Sequence, residues 1–215
     1  MVGLVLSDTF LLTASWDDND GDKVASGILQ IPFTESISSL LHDESELNAV
    51  LASALRQARE ANPFEGQKIY VGLPDAFVEH SIVPIEKDLS NNDHLNYIQW
   101  LESQKGRSGN HSVYLFGQVY FPSEHSIHVC SISRALVRTL KLSISELGGS
   151  PHWLGPVSSL YLDGSGMSEA AMIHMRGNKY SFMKVQENIF GIGTITFSGG
   201  VAKVASTTDK SDEIT

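Results

Sequence analysis

The sequence predicts an α/β fold, in which a mixed β-sheet is flanked by amphipathic helices. The chain opens with three apolar segments joined by short polar links, at 2–8, 9–16 and 24–33. Consecutive strands with short links usually pair with one another as a meander. Helical periodicity then appears in three later segments, and strand-like apolar segments lie between them. This alternation of helices and strands is typical of a sheet whose faces are covered by helices.

The first helix is the clearest element of the pattern. Ser45 is its predicted N-cap, because a serine oxygen can accept the first free N–H groups of a helix. Apolar residues follow as one stripe at helical spacing: Leu47, Val50, Leu51, Ala54, Leu55 and Ala58. Asn62-Pro63 ends the helix, since the residue before a proline is disfavoured in the helical conformation. The apolar strand "KIYVGL" (68–73) comes next.

Two further helices are predicted at 91–106 and 133–149. In the first, Trp100 lies off the inner apolar stripe, which makes it either a candidate partner contact or a covered surface aromatic. In the second, a basic stripe of Arg134, Arg138 and Lys141 lies opposite the buried stripe. This basic stripe is either a solvated face or a docking surface for an acidic partner.

The order of these signals predicts the domain organisation. Residues 1–155 form the first domain, and the turn at Pro74-Asp75 is an elbow that leads into an inserted subdomain at about 78–122. After 155 the helical periodicity stops and hairpin signals begin, including "RGNK" at 176–179. We therefore expect a mainly β partial second domain at 156–205 and a disordered polar tail at 206–215.

Composition and charge narrow the function classes. The chain has 215 residues, a net charge of −10 and a single cysteine, Cys130. An acidic chain is a poor partner for phosphate backbones, so nucleic-acid binding is not expected. One cysteine excludes an internal disulfide, and the histidine spacing does not build a metal site. No apolar run is long enough to span a membrane, and the N-terminus lacks a basic secretory region.

Three strands, a helix, a strand, further helices and strands and a last helix form the order of the RNase H-like fold. Within this fold, four stretches resemble the actin-like pilus and secretion assembly proteins of the PilM type, related to FtsA and the GspL cytoplasmic domain. They are "KIYVGLPDAFVEHSIVPI", "HLNYIQWLESQKG", "SIHVCSISRALVRTLKLSISELGGSPHWL" and "SSLYLDGSGMSEAAMIHMRGNKYSFMKV". Together they cover about residues 67 to 185 in the family's order.

The resemblance implies a nucleotide site made of two loops, each shaped to let backbone N–H groups hold phosphates. The first loop corresponds to "LSDTFLL", which offers Asp8 and Thr9 but contains no glycine. The second corresponds to "DGSG", which is Asp163, Gly164, Ser165 and Gly166. Because the first loop lacks glycine and the second domain is short, the chain is expected to be a truncated or degenerate relative. No cofactor is expected, and ATP with Mg²⁺ is the alternative.

The resemblance therefore implies a non-catalytic scaffold protein in a pilus or secretion assembly platform, located in the cytoplasm or at the inner face of the membrane. Its implied partners are other proteins: further copies of itself and a membrane-anchored assembly protein. No catalytic residue and no metal ligand are assigned. Two alternatives stay open, a nucleotide-binding actin-like ATPase and an RNase H-like metal-dependent nuclease that uses Asp8, Glu79 and Glu146.

Overall fold

The computed structural model describes residues 1–16, 24–74, 77–84, 91–104, 111–121, 124–157, 169–176, 179–186 and 189–206. The helices are α1 (Ile37–Leu40), α2 (Glu44–Ala61), α3 (Asn91–Gln104) and α4 (Arg134–Glu146). The first eight strands are β1 (Val2–Leu6), β2 (Phe10–Ser15), β3 (Ser26–Pro32), β4 (Lys68–Leu73), β5 (Val78–Pro84), β6 (His111–Phe121), β7 (Glu124–Ser133) and β8 (Ser150–Pro156). The remaining strands are β9 (Glu169–Arg176), β10 (Lys179–Gln186), β11 (Ile189–Ser198) and β12 (Val201–Ser206).

The chain divides into two compact units. The first unit comprises Met1–Pro74 and Ser133–Gly155, and the second comprises Asp75–Ile132 and Pro156–Thr215. The domain boundaries drawn from the sequence, including the inserted subdomain at 78–122, stay predictions. The predicted tail lies outside the described residues from 207 onward. Among the described helices, none combines the length and the hydropathy needed to cross a bilayer.

The first unit is built on a five-stranded mixed sheet with the strand order β3-β2-β1-β4-β8. β1 pairs antiparallel with β2 and parallel with β4, and β2 pairs antiparallel with β3. A meander of three strands followed by a parallel fourth strand needs a crossover connection between the third and fourth strands. α2 supplies that connection, so the mixed sheet with flanking helices predicted from the sequence is present.

One face of this sheet forms the core of the first unit. Val2, Leu4 and Leu6 alternate along β1 and are buried. The residues that pair with them and are also buried are Leu11 and Thr13 on β2 and Ile69 and Val71 on β4. α2 packs against β2, β3 and α4. Its buried residues are Leu47, Leu51, Ala54, Leu55 and Ala58, which is the predicted stripe without Val50. Burial of this stripe holds the helix to the sheet, since isolated helices gain little from propensity alone.

The opposite face of the sheet is more open and carries a row of rings. Trp16 lies against Tyr70 with ring centroids 5.7 Å apart, and Tyr70 meets His152 edge-on at 5.1 Å. A Cβ at Gly3 would come within 2.7 Å of the Trp16 ring. Glycine at position 3 therefore lets the indole lie close over β1.

The start of α2 differs from the prediction. The N-cap is Asp43 and not Ser45: the Asp43 carboxylate accepts hydrogen bonds from the backbone N–H groups of Ser45 and Glu46, at 3.0 and 3.1 Å. The negative charge of an aspartate at this position also interacts favourably with the positive end of the helix dipole. Just before it lies α1, a single turn that the sequence pattern did not predict.

The end of α2 is tied to the edge of the sheet. The buried Asn62 donates through its Nδ2 to the carbonyl of Gly27 at 2.8 Å and to the Thr13 hydroxyl at 3.2 Å. Gly27 has φ +60° and lies where the pairing of β2 with β3 shifts register. A glycine accommodates this bulge because the left-handed conformation costs it no strain.

α4 and β8 close the first unit. The periodicity predicts a buried stripe of Leu136, Val137, Leu140, Ile144 and Leu147. The first four are buried, whereas Leu147 is the C-cap of α4 and is only partly buried. Gly148 (φ +85°) directly follows the C-cap residue Leu147, the position where a left-handed glycine commonly terminates a helix. The chain then returns to the sheet as β8 beside β4, a strand that the sequence analysis did not predict.

The second unit contains two antiparallel systems. Three strands form one sheet in the order β5-β7-β6. α3 packs against this sheet through Ile98, which forms a small buried core with Val83 and Val129. Cys130 is buried on β7. β9 to β12 form an antiparallel meander in which Arg176, at the end of β9, pairs with Lys179, at the start of β10, as the hairpin signal predicts. The two residues between them lie outside the described residues. Gly199 and Gly200, both with positive φ, form the turn between β11 and β12.

Candidate partner-binding surface

Two exposed aromatic side chains lie side by side on α3. The rings of Tyr97 and Trp100 stack with centroids 6.1 Å apart and an interplanar angle of 24°. The side chains are exposed at 40% and 56%, respectively. Stacked rings lose little further freedom when a partner covers them, and Trp and Tyr are enriched among the residues that dominate binding energy. We refer to Tyr97 and Trp100 together as the α3 aromatic pair.

The helix positions this pair through its opposite side. Tyr97 and Trp100 are three residues apart, a spacing that puts side chains on one helix face. Ile98 points the other way and is fully buried against Val83 and Val129, with Leu101 packed alongside. Because the inner side of α3 is anchored in a core, the outer pair is presented on a fixed support.

The basic stripe predicted on α4 is exposed. Arg134, Arg138 and Lys141 are all on the solvent side of the helix. Arg138 forms an ion pair with Glu44 at the start of α2. Half-exposed pairs of this kind contribute about 0–1 kcal/mol. The Arg138 guanidinium thus already has an acidic partner within the chain, which reduces what it offers to a second protein.

Asp8 and Thr9, predicted for a nucleotide loop, form the tight turn between β1 and β2. The Asp8 carboxylate accepts from the Ser38 backbone N–H at 2.8 Å and from the Ser38 hydroxyl at 3.2 Å. The carbonyls of Asp8 and Thr9 accept from the backbone N–H groups of Ile37 and Phe33, at 2.9 and 2.8 Å. This turn therefore ties the sheet to α1 through acceptor groups, whereas a phosphate loop works by presenting donors.

The other half of the predicted nucleotide site, Asp163, Gly164, Ser165 and Gly166, lies outside the described residues. Nucleotide binding by either loop stays a prediction. Within the described part of the chain, no group of three or more His, Cys, Asp or Glu residues is arranged to hold a metal ion. Glu79 and Glu146, the carboxylates of the nuclease alternative, are both exposed.

Two residues of these sites were missed in the sequence. Tyr97 could have been found, because its spacing of three from Trp100 on a helix indicates a shared face. Ser38 could not have been found, because it is 30 positions from Asp8 and belongs to a single helical turn without a periodic pattern.

No protein-family model matches this sequence, and no curated protein matches it. Solved structures do match. The PilM-PilN type IV pilus biogenesis complex aligns with a TM-score of 0.62 and 10% sequence identity, over 92% of this chain. The chain spans 62% of the length of that relative.

Two further structures align. The cytoplasmic domain of EpsL, an inner membrane component of the type II secretion system of Vibrio cholerae, aligns with a TM-score of 0.50 and 10% identity, over 95% of this chain and 70% of that one. A Bacteroides thetaiotaomicron protein with actin-like ATPase fold and unknown function reaches a TM-score of 0.48 at 10% identity, over 98% of this chain and 71% of that one, which is too low to add support. At this identity the likeness concerns the fold. The resemblance seen in the sequence is confirmed at that level: the chain shares the fold of the PilM-PilN structure and of the EpsL cytoplasmic domain, a mixed sheet with flanking helices.

Proposed function

We propose that this protein is a non-catalytic scaffold that binds other proteins in a pilus or secretion assembly platform. The observation that carries the proposal is the α3 aromatic pair, two large rings exposed on a helix whose inner side is anchored in a core. The likeness in fold to the PilM-PilN complex and to EpsL supports the choice of system. A cytoplasmic location beside the inner membrane is part of the same proposal.

The proposed partner is the cytoplasmic segment of a membrane-anchored assembly protein from the same genome. One of the similar structures is itself a complex of two pilus biogenesis proteins, which supports a protein partner. The two rings can pack against apolar side chains of such a segment, and each ring shields an edge of the other from water. The basic stripe on α4 is a secondary candidate surface, since Arg134, Arg138 and Lys141 are all exposed.

Replacing Trp100 by alanine is expected to weaken binding of a synthetic peptide of this segment by about tenfold or more, since buried Trp anchors typically contribute at least about 2 kcal/mol. Fluorescence polarisation of the labelled peptide measures the change. Leu142→Ala is the matched control, because Leu142 on α4 is also 56% exposed. Equal affinities for the two variants would count against the α3 aromatic pair as the binding surface.

We propose further that ATP has no part in this function. In the described half of the predicted nucleotide site, the Asp8 carboxylate is engaged by Ser38 and the turn carbonyls by the segment that leads into α1. Opening the turn for a phosphate would break these hydrogen bonds, each with a net value of about 0.5–1.5 kcal/mol.

Isothermal calorimetry of the full chain with Mg²⁺ and ATP is therefore expected to show no saturable heat up to millimolar nucleotide. A chain that binds nucleotide at this site would instead give a saturable isotherm. A saturable isotherm that disappears in Asp163→Ala would replace the scaffold proposal by the ATPase alternative.

A further inference from the structure

The outer edge of the five-stranded sheet is unusually open. β3 is the terminal strand of this sheet, and six of its seven residues are exposed. Ile28 is 66% and Leu29 40% exposed, and these neighbours point to opposite faces of the strand. No charged residue occurs from Val24 to Thr34. Edge strands of stable monomers usually carry charges, because an uncharged edge is a template for pairing with another strand.

The hydrogen bonds around β2 show which backbone groups of β3 point outward. The Phe33 N–H donates to the Thr9 carbonyl at 2.8 Å, so the backbone N–H and carbonyl of Phe33 point toward β2. The direction of the backbone hydrogen-bonding groups alternates from residue to residue along an antiparallel strand. The N–H and carbonyl groups of Ile31 and Leu29 therefore also point toward β2. The N–H and carbonyl of Gln30 and the carbonyls of Ile28 and Pro32 then point away from the sheet. Pro32 has no N–H to leave unpaired there.

The open edge has a defined beginning. Asn62 binds the Gly27 carbonyl, and a Cβ at Gly27 would come within 2.4 Å of the Asn62 side-chain oxygen. The bulge at this point separates the regular edge, Ile28 to Pro32, from the start of β3. The backbone groups of the edge are therefore held in strand geometry before any partner arrives, and a pre-organised surface loses less entropy on binding.

We propose that two copies of this chain pair through their β3 edges, antiparallel about a two-fold axis, and so join their sheets into one continuous sheet. In the register we infer, the Gln30 N–H of each copy donates to the Ile28 carbonyl of the other. Leu29 then faces its own counterpart on the axis. Shifting the register by two residues would put Pro32 opposite Ile28 and leave that carbonyl without a donor.

The charge distribution favours a second copy as the occupant. The chain has a net charge of −10, so two copies repel one another over most orientations. The β3 edge carries no charge, and a two-fold axis brings it against an identical uncharged edge. Burying Leu29 against Leu29 and covering the two Ile28 side chains then adds an apolar contribution to the backbone pairing.

A cysteine at position 29 tests the proposed register. In an antiparallel pair, residues on a non-hydrogen-bonded site have Cα atoms about 4.5 Å apart, which lies within the disulfide range of about 4.4–6.8 Å. We expect Leu29→Cys to form a covalent dimer under mild oxidation, at low micromolar protein. Leu142→Cys is the control for random collision, and the native Cys130 is buried. Equal rates of cross-linking for the two variants would overturn the proposal.

Sedimentation velocity tests the same proposal without a covalent bond. The wild-type chain is expected to shift from monomer to dimer with rising concentration. Ile28→Lys is expected to weaken this dimer at least tenfold, because it puts two like charges on one face of the pairing edge, diagonally across the two-fold axis. Leu142→Lys should leave it unchanged. A wild-type chain that stays monomeric at every concentration overturns the proposal. This holds even if the β3 edge is found to pair with a different protein. Neither experiment uses the peptide, so either outcome leaves the α3 proposal to its own test.

Discussion

Replacing Leu51 by alanine is expected to destabilise the first unit by about 2–5 kcal/mol, the range for a buried leucine whose cavity does not collapse. Leu51 is fully buried in the middle of α2, where the helix packs on β2, β3 and α4. The substitution removes apolar contacts made by α2, the helix that connects β3 to β4. Because single domains are stable by about 5–15 kcal/mol, this change is a large fraction of the total.

Urea unfolding followed by tryptophan fluorescence measures this effect in the first unit alone. The chain has three tryptophans, and a Trp100→Phe background leaves Trp16 and Trp153, which both belong to the first unit. Leu142→Ala, at an exposed position of α4, should change the free energy of unfolding by no more than about 0.5 kcal/mol. If Leu51→Ala and Leu142→Ala unfold at the same urea concentration, the packing of α2 described here is wrong.

Replacing Asn62 by leucine is expected to cost about 1–3 kcal/mol, although the two side chains are similar in size. The Thr13 hydroxyl is fully buried, and the Asn62 side chain is the donor that reaches it at 3.2 Å. The same amide holds the Gly27 carbonyl at the bulge. The leucine would leave both acceptors without this donor and would free the start of the β3 edge.

The double variant Asn62→Leu, Thr13→Val separates lost hydrogen bonding from lost packing. Removing both partners takes away the unpaired buried hydroxyl, so the double variant should be more stable than Asn62→Leu alone. The same urea titration in the Trp100→Phe background measures both. If the second substitution only adds to the destabilisation of the first, the contact between Asn62 and Thr13 is not the source of the effect.

The fold was predictable where burial follows a period. The stripes of α2 and α4 and the alternation of Val2, Leu4 and Leu6 on β1 all report the same sheet face. The N-cap of α2 was not predictable in this way, because Asp43 and Ser45 are both good capping residues and the first buried position, Leu47, lies beyond either. A hydrophobic pattern locates a helix, whereas its first residue depends on local hydrogen bonds.

Tertiary contacts explain what the pattern missed. β8 contains Pro151, Gly155 and Pro156, which indicate a break in a strand unless it lies at an edge, and β8 is an edge strand. α1 has only four residues and is held by Asp8, far away in sequence. The place of Trp100 off the helical stripe predicts either a partner contact or a covered surface aromatic, and the structure places its side chain at 56% exposure.

The proposed function rests on one claim, that the α3 aromatic pair binds a protein segment and that nucleotide does not control this binding. A single peptide titration, with and without Mg²⁺ and ATP, tests the claim most directly. We predict equal affinities in the two conditions for the wild-type chain and about tenfold weaker binding in both for Trp100→Ala. Binding that requires ATP, or that Trp100→Ala leaves unchanged, would contradict it.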